Sequence, residues 1–207
     1  MKLYGLLVAQ NESDVIEDTL DYLQRLNVYE AILFFDLGSV DDTFEKALKF
    51  KDILYRPQKL NVLYTEKLRY DLLEEHRSLY REGDWISLVD ADEFYVDNPV
   101  EFIHQAEEEN ANCIQTYQIQ FMYTDLDLRD SKNEDCTLPI YERRKHYLIN
   151  WSEERFYKYL PDAFFSRSKL FSKRLLNRHY QYRTSEQMQI RIKTRLENKK
   201  KTQSFRR

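Results

Sequence analysis

Short apolar runs that stop abruptly on polar, mostly acidic residues constrain this chain more than any other feature. Leu3-Tyr4-Gly5-Leu6-Leu7-Val8-Ala9 is almost wholly apolar and gives way at once to Gln10-Asn11-Glu12. Ala31-Ile32-Leu33-Phe34-Phe35 ends on Asp36-Leu37-Gly38-Ser39, and Trp85-Ile86-Ser87-Leu88-Val89 ends on Asp90-Ala91-Asp92-Glu93. Runs of this length and composition predict strands buried on both faces of a parallel sheet. Between them apolar residues recur at helical spacing. Ile16, Leu20 and Leu23 do so within 14–26, where Asn11 or Ser13 is placed to cap, Phe44 and Leu48 after Asp41 or Asp42, and Leu68, Leu72, Leu73 and Leu79 within 66–80. A weaker strand is predicted over 61–65. Strand and helix in alternation predict an α/β fold of three layers, a mostly parallel central sheet with helices on both faces, whose ligands gather at the carboxyl ends of the strands. Asn11, Glu12, Asp36 and Asp90 would meet there.

Beyond Pro99 the pattern changes. A helix is predicted over 100–109 and a strand over 113–123, followed by an aromatic and basic stretch, 124–178, without clear alternation. A last helix is predicted over 185–196 with Met188, Ile192 and Leu196 on one face. The chain has 207 residues, which suits one domain, taken as 1–196, with 197–207 as a flexible basic tail. The formal net charge of -4 conceals an asymmetry, since eight Lys or Arg face the single Glu197 between Ile190 and Arg207. An acidic body repels nucleic acid, whereas a basic tail is either a solvated end or a contact to an anionic membrane surface. Cys113 and Cys136 form no CxxC pattern, and no apolar run reaches the roughly 18 residues of a membrane span. These features lead us to expect a cytoplasmic protein.

Only three glycines are present, Gly5, Gly38 and Gly83, and none lies in GxGxxG or GxxxxGK[ST]. A sheet that binds phosphates without such loops must neutralise their charge otherwise. Asp90-Ala91-Asp92 offers a means, because hard carboxylate oxygens hold Mn2+ or Mg2+, which bridges diphosphate oxygens. Acidic residues at strand ends also cap helices or face water, so this motif gains weight only with its partners.

Those partners carry a family resemblance. Val8 to Glu12, Phe35 to Thr43 and Leu88 to Phe94 resemble, in order and position, glycosyltransferase family 2 enzymes of the GT-A fold, in a bacterial branch with a DADEF-type DxD motif. The second segment is similar to that family's VDDGSTDGT turn, with Leu37 in place of the usual second Asp. Tyr147 to Glu153 and Asn177 to Arg183 also look like segments of that branch. The resemblance implies an inverting, metal-dependent enzyme of the hexosyltransferase type. It would move sugar from a nucleoside diphosphate sugar, uridine-linked by expectation, to a saccharide or glycoconjugate acceptor, as in polysaccharide synthesis. Residues 1–99 would bind the donor and 100–196 the acceptor. Asn11, Glu12, Asp36 and Asp90 would bind the nucleoside, while Asp90, Asp92 and His179 would hold Mn2+ or Mg2+.

Other assignments stay open between function and structure. Asp127 and Glu153 are the preferred general bases, with Asp125 and Glu154 behind them. Arg77, or Arg143, Arg144 and Lys145, could meet the diphosphate, and Tyr123, Tyr147 and Trp151 could be sugar platforms or core residues. His76, His104 and His146 read as surface or packing residues. Two other classes compete: a non-catalytic or truncated sugar-nucleotide-binding relative, and a haloacid-dehalogenase-like phosphohydrolase. The latter would carry DxD on its first strand and Thr or Val where Phe94 stands.

Overall fold

The computed structural model describes residues 1–129, 131–135, 137–163 and 168–204, so Cys136 and the last three tail residues lie outside the described residues. Eight strands form one sheet: β1 (Leu3–Ala9), β2 (Ala31–Asp36), β3 (Leu54–Lys59), β4 (Trp85–Val89), β5 (Glu93–Tyr95), β6 (Cys113–Met122), β7 (His146–Lys158) and β8 (Leu170–His179). The helices are α1 (Ile16–Leu26), α2 (Thr43–Ala47), α3 (Glu66–Glu75), α4 (Pro99–Glu108), α5 (Ile140–Arg143) and α6 (Ser185–Ser204). Strand order is β3-β2-β1-β4-β7-β6-β8-β5. Only β7 and β5 run against the others, so the sheet is mostly parallel, as expected.

Alternation along β1 makes the three layers. Tyr4 and Leu6 point to a core shared with Leu72 and Leu73 of α3, whereas Leu7 and Ala9 point to the opposite core, with Ile16, Leu20 and Leu23 of α1 and Ala47 of α2. Ile103 and Ala106 of α4 pack with Leu3, Trp85 and Phe156 in a third cluster. Register then places the site: Ala9 lies beside Asp36 and Leu7 beside Val89, so the chain leaves β1, β2 and β4 along one edge.

Four expectations are corrected. The strand predicted over 61–65 is irregular, with Val62 and Tyr64 exposed, and the third strand is β3 instead. Its Pro57 argues against a strand in the interior of a sheet but is tolerated on this edge, where Arg56 has a φ of 46° and the pairing with β2 shifts register. Residues 124–178 contain the long β7 and β8. Tyr147, Leu148 and Ile149 are consecutively exposed, so no alternation marks β7 there. Neither Asn11 nor Ser13 caps α1, whose first turn is fixed by Glu12 O accepting from Val15 N and Ile16 N. Finally, α6 extends to Ser204, making the backbone of 197–204 helical, and Ile192 and Leu196 are 58% and 54% exposed. Among the described residues no helix is long and apolar enough to cross a membrane.

The turn after β2 shows how the chain is steered at this edge. Asp36 Oδ1 accepts from Gly38 N at 2.9 Å and Ser39 N at 2.8 Å, and Gly38 takes a φ of +80°. A Cβ there would stand 3.3 Å from Leu60 O. Gly38→Ala is expected to lower unfolding stability by about 1–2 kcal/mol, measured as a shift of the denaturant midpoint at unchanged m-value.

Candidate functional site

The edge formed by β1, β2 and β4 opens into a cavity of about 280 Å³, lined among others by Asn11, Glu12, Arg69, Asp90, Asp92, Arg191 and Arg195. Gln10, Asn11, Leu37, Thr194 and Asn198 join it to a second cavity of about 690 Å³. Helix α6 lies over both. Carboxylates and guanidiniums thus share one pocket.

Asp90 leaves β4 with both oxygens engaged. Oδ1 accepts from Arg69 Nη2 at 2.5 Å and Oδ2 from Arg155 Nη2 at 2.7 Å. Burial pushes the Asp90 carboxyl up, but Arg155 and Arg69 outweigh it and hold its pKa below the usual value. Arg155 also reaches Glu93 Oε1 at 2.5 Å and Glu153 Oε2 at 2.8 Å. Burial prevails at Glu93, whose pKa is raised despite Arg155.

Asp92 is 4% exposed and is surrounded by three cationic groups. Its Oδ1 lies 3.4 Å from His179 Nε2, while Oδ2 accepts from Arg183 Nη1 at 3.2 Å and Arg191 Nη1 at 3.1 Å. Against burial, His179 and the two arginines hold this carboxyl well below its usual pKa. His179 arrives there because β5 pairs with β8, placing Glu93 opposite His179, and Tyr180 N donates to Asp92 O at 2.8 Å. Gln118, buried on β6, fixes the ring: its Oε1 is 3.1 Å from His179 Nδ1 and its Nε2 donates to Glu93 at 2.7 Å. A proton on Nδ1 satisfies Gln118 and turns Nε2 toward Asp92.

Arg183 is fully buried and ties two strand ends together. It donates to Asp14 Oδ2 at 2.8 Å through Nε and to Asp14 Oδ1 at 3.0 Å through Nη2, and pairs closely with Glu12 as well as Asp92. Burial raises the Glu12 carboxyl to about 7 even beside Arg183, with Asp92 adding to the rise.

Asn11, Glu12, Asp90, Asp92 and His179 are therefore brought together. Asn11 has a φ of 57°, accepts from Val40 N at 2.9 Å and donates to Thr194 Oγ1 at 3.3 Å, linking the β1 loop to the β2 loop and α6. Asp36 is fully buried and lines neither cavity, its Oδ2 without a partner among the described residues. Arg77 falls outside: α3 stops at Glu75, and Arg77 pairs at 3.7 Å with Glu74 on a separate 3-10 turn. Arg69, earlier on the same segment, occupies the pocket instead.

Arg143 and Arg144 are also not at the pocket, being buried against carbonyls of Leu138 and Asn133, and Lys145 is exposed and lines neither cavity. Asp127 is buried in its own turn, where it accepts from Thr124 N at 2.7 Å and lies 3.8 Å from Arg144. Glu153 remains half-exposed, joined to the Asp90 network through Arg155 and accepting from Trp151 Nε1 at 2.7 Å. Trp151 and Tyr147 are exposed at 57% and 56%, so neither is a core residue, and the Arg144 guanidinium lies 4.9 Å over the Tyr123 ring. His76 packs on Phe35, while His104 and His146 are exposed. Arg69, Arg155, Arg183, Arg191 and Gln118 were not singled out from sequence. The spacing of Glu153 and Arg155, two apart on one strand face, was the available signal for Arg155.

A cation fits here on limited terms. Among the described residues no group of three or more His, Cys, Asp or Glu converges on one point. Asp92 and, once deprotonated, the Nε2 of His179 would make a two-ligand set of the kind that Mg2+ or Mn2+ completes with phosphate oxygens and water.

Without metal, the His179 ring is positively charged. Burial opposes that charge, but Asp92, then Glu93 and Asp90, raise its pKa from 6.5 to about 9. A raised pKa stabilises the fold fully below the unfolded value and ceases to do so as pH rises through the folded one. Metal-free protein is therefore expected to lose stability between pH 6.5 and about 9, and His179→Gln to flatten that part of the profile in denaturant titrations.

No family model and no curated protein matches the chain. Among solved structures it is similar to a mannosyltransferase from Pyrobaculum calidifontis in complex with GDP-Man and Mn2+, at 13% identity and TM-score 0.47, covering 56% of this chain and 35% of that one. Staphylococcus aureus TarS 1-349 in complex with UDP-GlcNAc follows at 18% identity and TM-score 0.45, covering 59% and 35%. Similarity to glucosyl-3-phosphoglycerate synthase from Mycobacterium tuberculosis in complex with Mn2+, UDP and glucosyl-3-phosphoglycerate covers 76% of this chain and 56% of that one, at 14% identity and TM-score 0.40. The chain spans about a third of the length of the first two.

Proposed function

We propose that the pocket binds a nucleoside diphosphate sugar and that the protein is a glycosyltransferase, inverting and assisted by a divalent cation. One observation carries this reading: Asp92, which with its neighbour His179 makes a donor set for a hard cation, faces the same cavity as Arg69, Arg191 and Arg195, a donor set for phosphate oxygens. A ligand that bears diphosphate and shares a cation with the protein satisfies both. A carboxylate cluster alone would suit a bare cation, and arginines alone a bare phosphate.

Asp92 and His179 would hold Mn2+ or Mg2+, which when bound supplies Lewis-acid neutralisation of the departing diphosphate. Arg69 contributes from the opposite wall, with its Nε buried and unpartnered among the described residues. The second cavity, joined to the first through Asn11 and Leu37 and lined by Gly38 and Val40 of the loop after β2, supports placing the nucleoside toward β2. For the acceptor, Glu153 is the preferred base over Asp127, because its carboxyl is half-exposed and the Asp127 carboxyl is buried in its own turn. The exposed Trp151, which donates to Glu153, offers a ring for a saccharide acceptor, and Tyr147 lies exposed further along β7. A phosphohydrolase reading is disfavoured by the double ion pair on Asp90, which dampens it as a nucleophile.

Two variants test the assignment. Asp92→Asn is expected to remove Mn2+-dependent thermal stabilisation by UDP or GDP while leaving the metal-free fold intact. Glu153→Gln should retain that stabilisation yet slow sugar transfer by about 10²–10⁴-fold. Nucleotide binding by Asp92→Asn with an unchanged metal requirement would refute the metal assignment. Wild-type binding without any donor turnover would instead favour a non-catalytic sugar-nucleotide module.

A further inference from the structure

Helix α6 is attached to the body in an unusual manner. Its N-terminus is anchored, since Thr184 Oγ1 accepts from Gln187 N at 3.0 Å immediately after the buried Arg183. Beyond that first turn its apolar residues Ile190, Ile192 and Leu196 are exposed. The contacts that hold it over the cavity are polar: Thr194 with Asn11 at 3.3 Å, and Arg191 with Asp92 at 3.1 Å and Glu12 at 3.9 Å. Gln187, Arg191, Thr194, Arg195 and Asn198 follow helical spacing and line the cavity together.

The three cationic neighbours of Asp92 differ in freedom. Arg183 is locked, fully buried, by Asp14, Glu12 and the Tyr180 carbonyl. His179 is held by Gln118. Arg191 alone of the three sits on a helix whose apolar side is bare, with its side chain 24% exposed. Like charges brought within a few ångströms repel by about 4 kcal/mol at the effective dielectric of a protein surface. Any cation added at Asp92 therefore displaces the guanidinium that can move. Arginine forms forked, charge-assisted bonds with phosphate oxygens, so a displaced Arg191 has a better partner in the same cavity once diphosphate is present. Arg195, one turn further, lines that cavity with no hydrogen-bond or ion-pair partner among the described residues.

We infer that Arg191 is a partner-exchanging residue of the donor site: it neutralises Asp92 and Glu12 in the ligand-free pocket and gives them up for the diphosphate when donor and divalent cation bind. The inference rests on the donor-binding role proposed above and adds to it an ordered use of one side chain. It makes Arg191 an opponent of metal binding without nucleotide and an ally of nucleotide binding with metal. A merely structural residue would not show this reversal of sign.

Isothermal titration of Arg191→Gln tests it. Mn2+ alone should bind the nucleotide-free variant about tenfold more tightly than wild type. In saturating Mn2+, whichever of UDP or GDP the wild type binds should bind the variant about tenfold more weakly, while the corresponding nucleoside is unaffected. Arg191→Lys, which keeps the charge and loses the fork, should leave Mn2+ affinity near wild type and weaken the diphosphate less. Changes of the same sign in both titrations, or no change in either, would overturn the exchange while leaving the proposed function standing. Failure of the wild type to bind both Mn2+ and nucleoside diphosphate would overturn the two together.

Discussion

The buried guanidinium of Arg183 is the interaction on which the site depends. Glu12 and Asp14 come from the loop after β1 and Asp92 from the loop after β4, and all three direct a carboxylate toward one dry place. Uncompensated, each close pair of carboxylates would repel by about 4 kcal/mol at an effective dielectric of 20, enough to splay the loops apart. Arg183 converts that repulsion into a junction. It also donates to the Tyr180 carbonyl, which fixes the end of β8 and with it His179, and it stands one residue before the cap of α6. One side chain thereby sets the position of the carboxylates, the imidazole and the roof of the pocket.

What the junction produces is a cavity of mixed charge at the carboxyl edge of a mostly parallel sheet. Asp90 and Asp92 do not wait there as bare acids: each is already paired, Asp90 by Arg69 and Arg155, Asp92 by His179, Arg183 and Arg191. This neutralisation keeps their pKa values low in spite of burial, so both are charged and able to respond to a cation. It also answers the scarcity of glycine. In the proposed donor site, guanidiniums from α3 and α6 would do for phosphate what the backbone N–H groups of a glycine-rich loop do elsewhere.

Much of this was legible in the sequence where burial on both sheet faces leaves an unbroken apolar run. The limits of β1 and β4 follow from such runs, and with them the position of Asn11-Glu12 and of Asp90-Ala91-Asp92. Tertiary partners were less visible. His179 reaches Asp92 only because the three-residue β5 pairs with β8, a strand too short to leave a periodic signal. Arg69 and Arg77 look alike on a predicted helix of fifteen residues, and the early end of α3 separates them. Residues 124–178 misled because the outer part of β7 exposes successive apolar side chains, and β3 because its proline sits at a sheet edge. Met188, Ile192 and Leu196 share one face of α6 by their spacing, yet Ile192 and Leu196 are exposed and the helix is held by its polar residues.

The central claim is that Asp92 and His179 share a divalent cation with a bound diphosphate, and electron spin-echo envelope modulation of Mn2+ on the intact protein with UDP or GDP addresses it directly. The account predicts modulation from a histidine nitrogen and from phosphorus in the same spectrum, with His179→Ala removing the nitrogen alone. A spectrum of the fully hydrated ion, or of a bound ion coupled to neither nucleus, would contradict it.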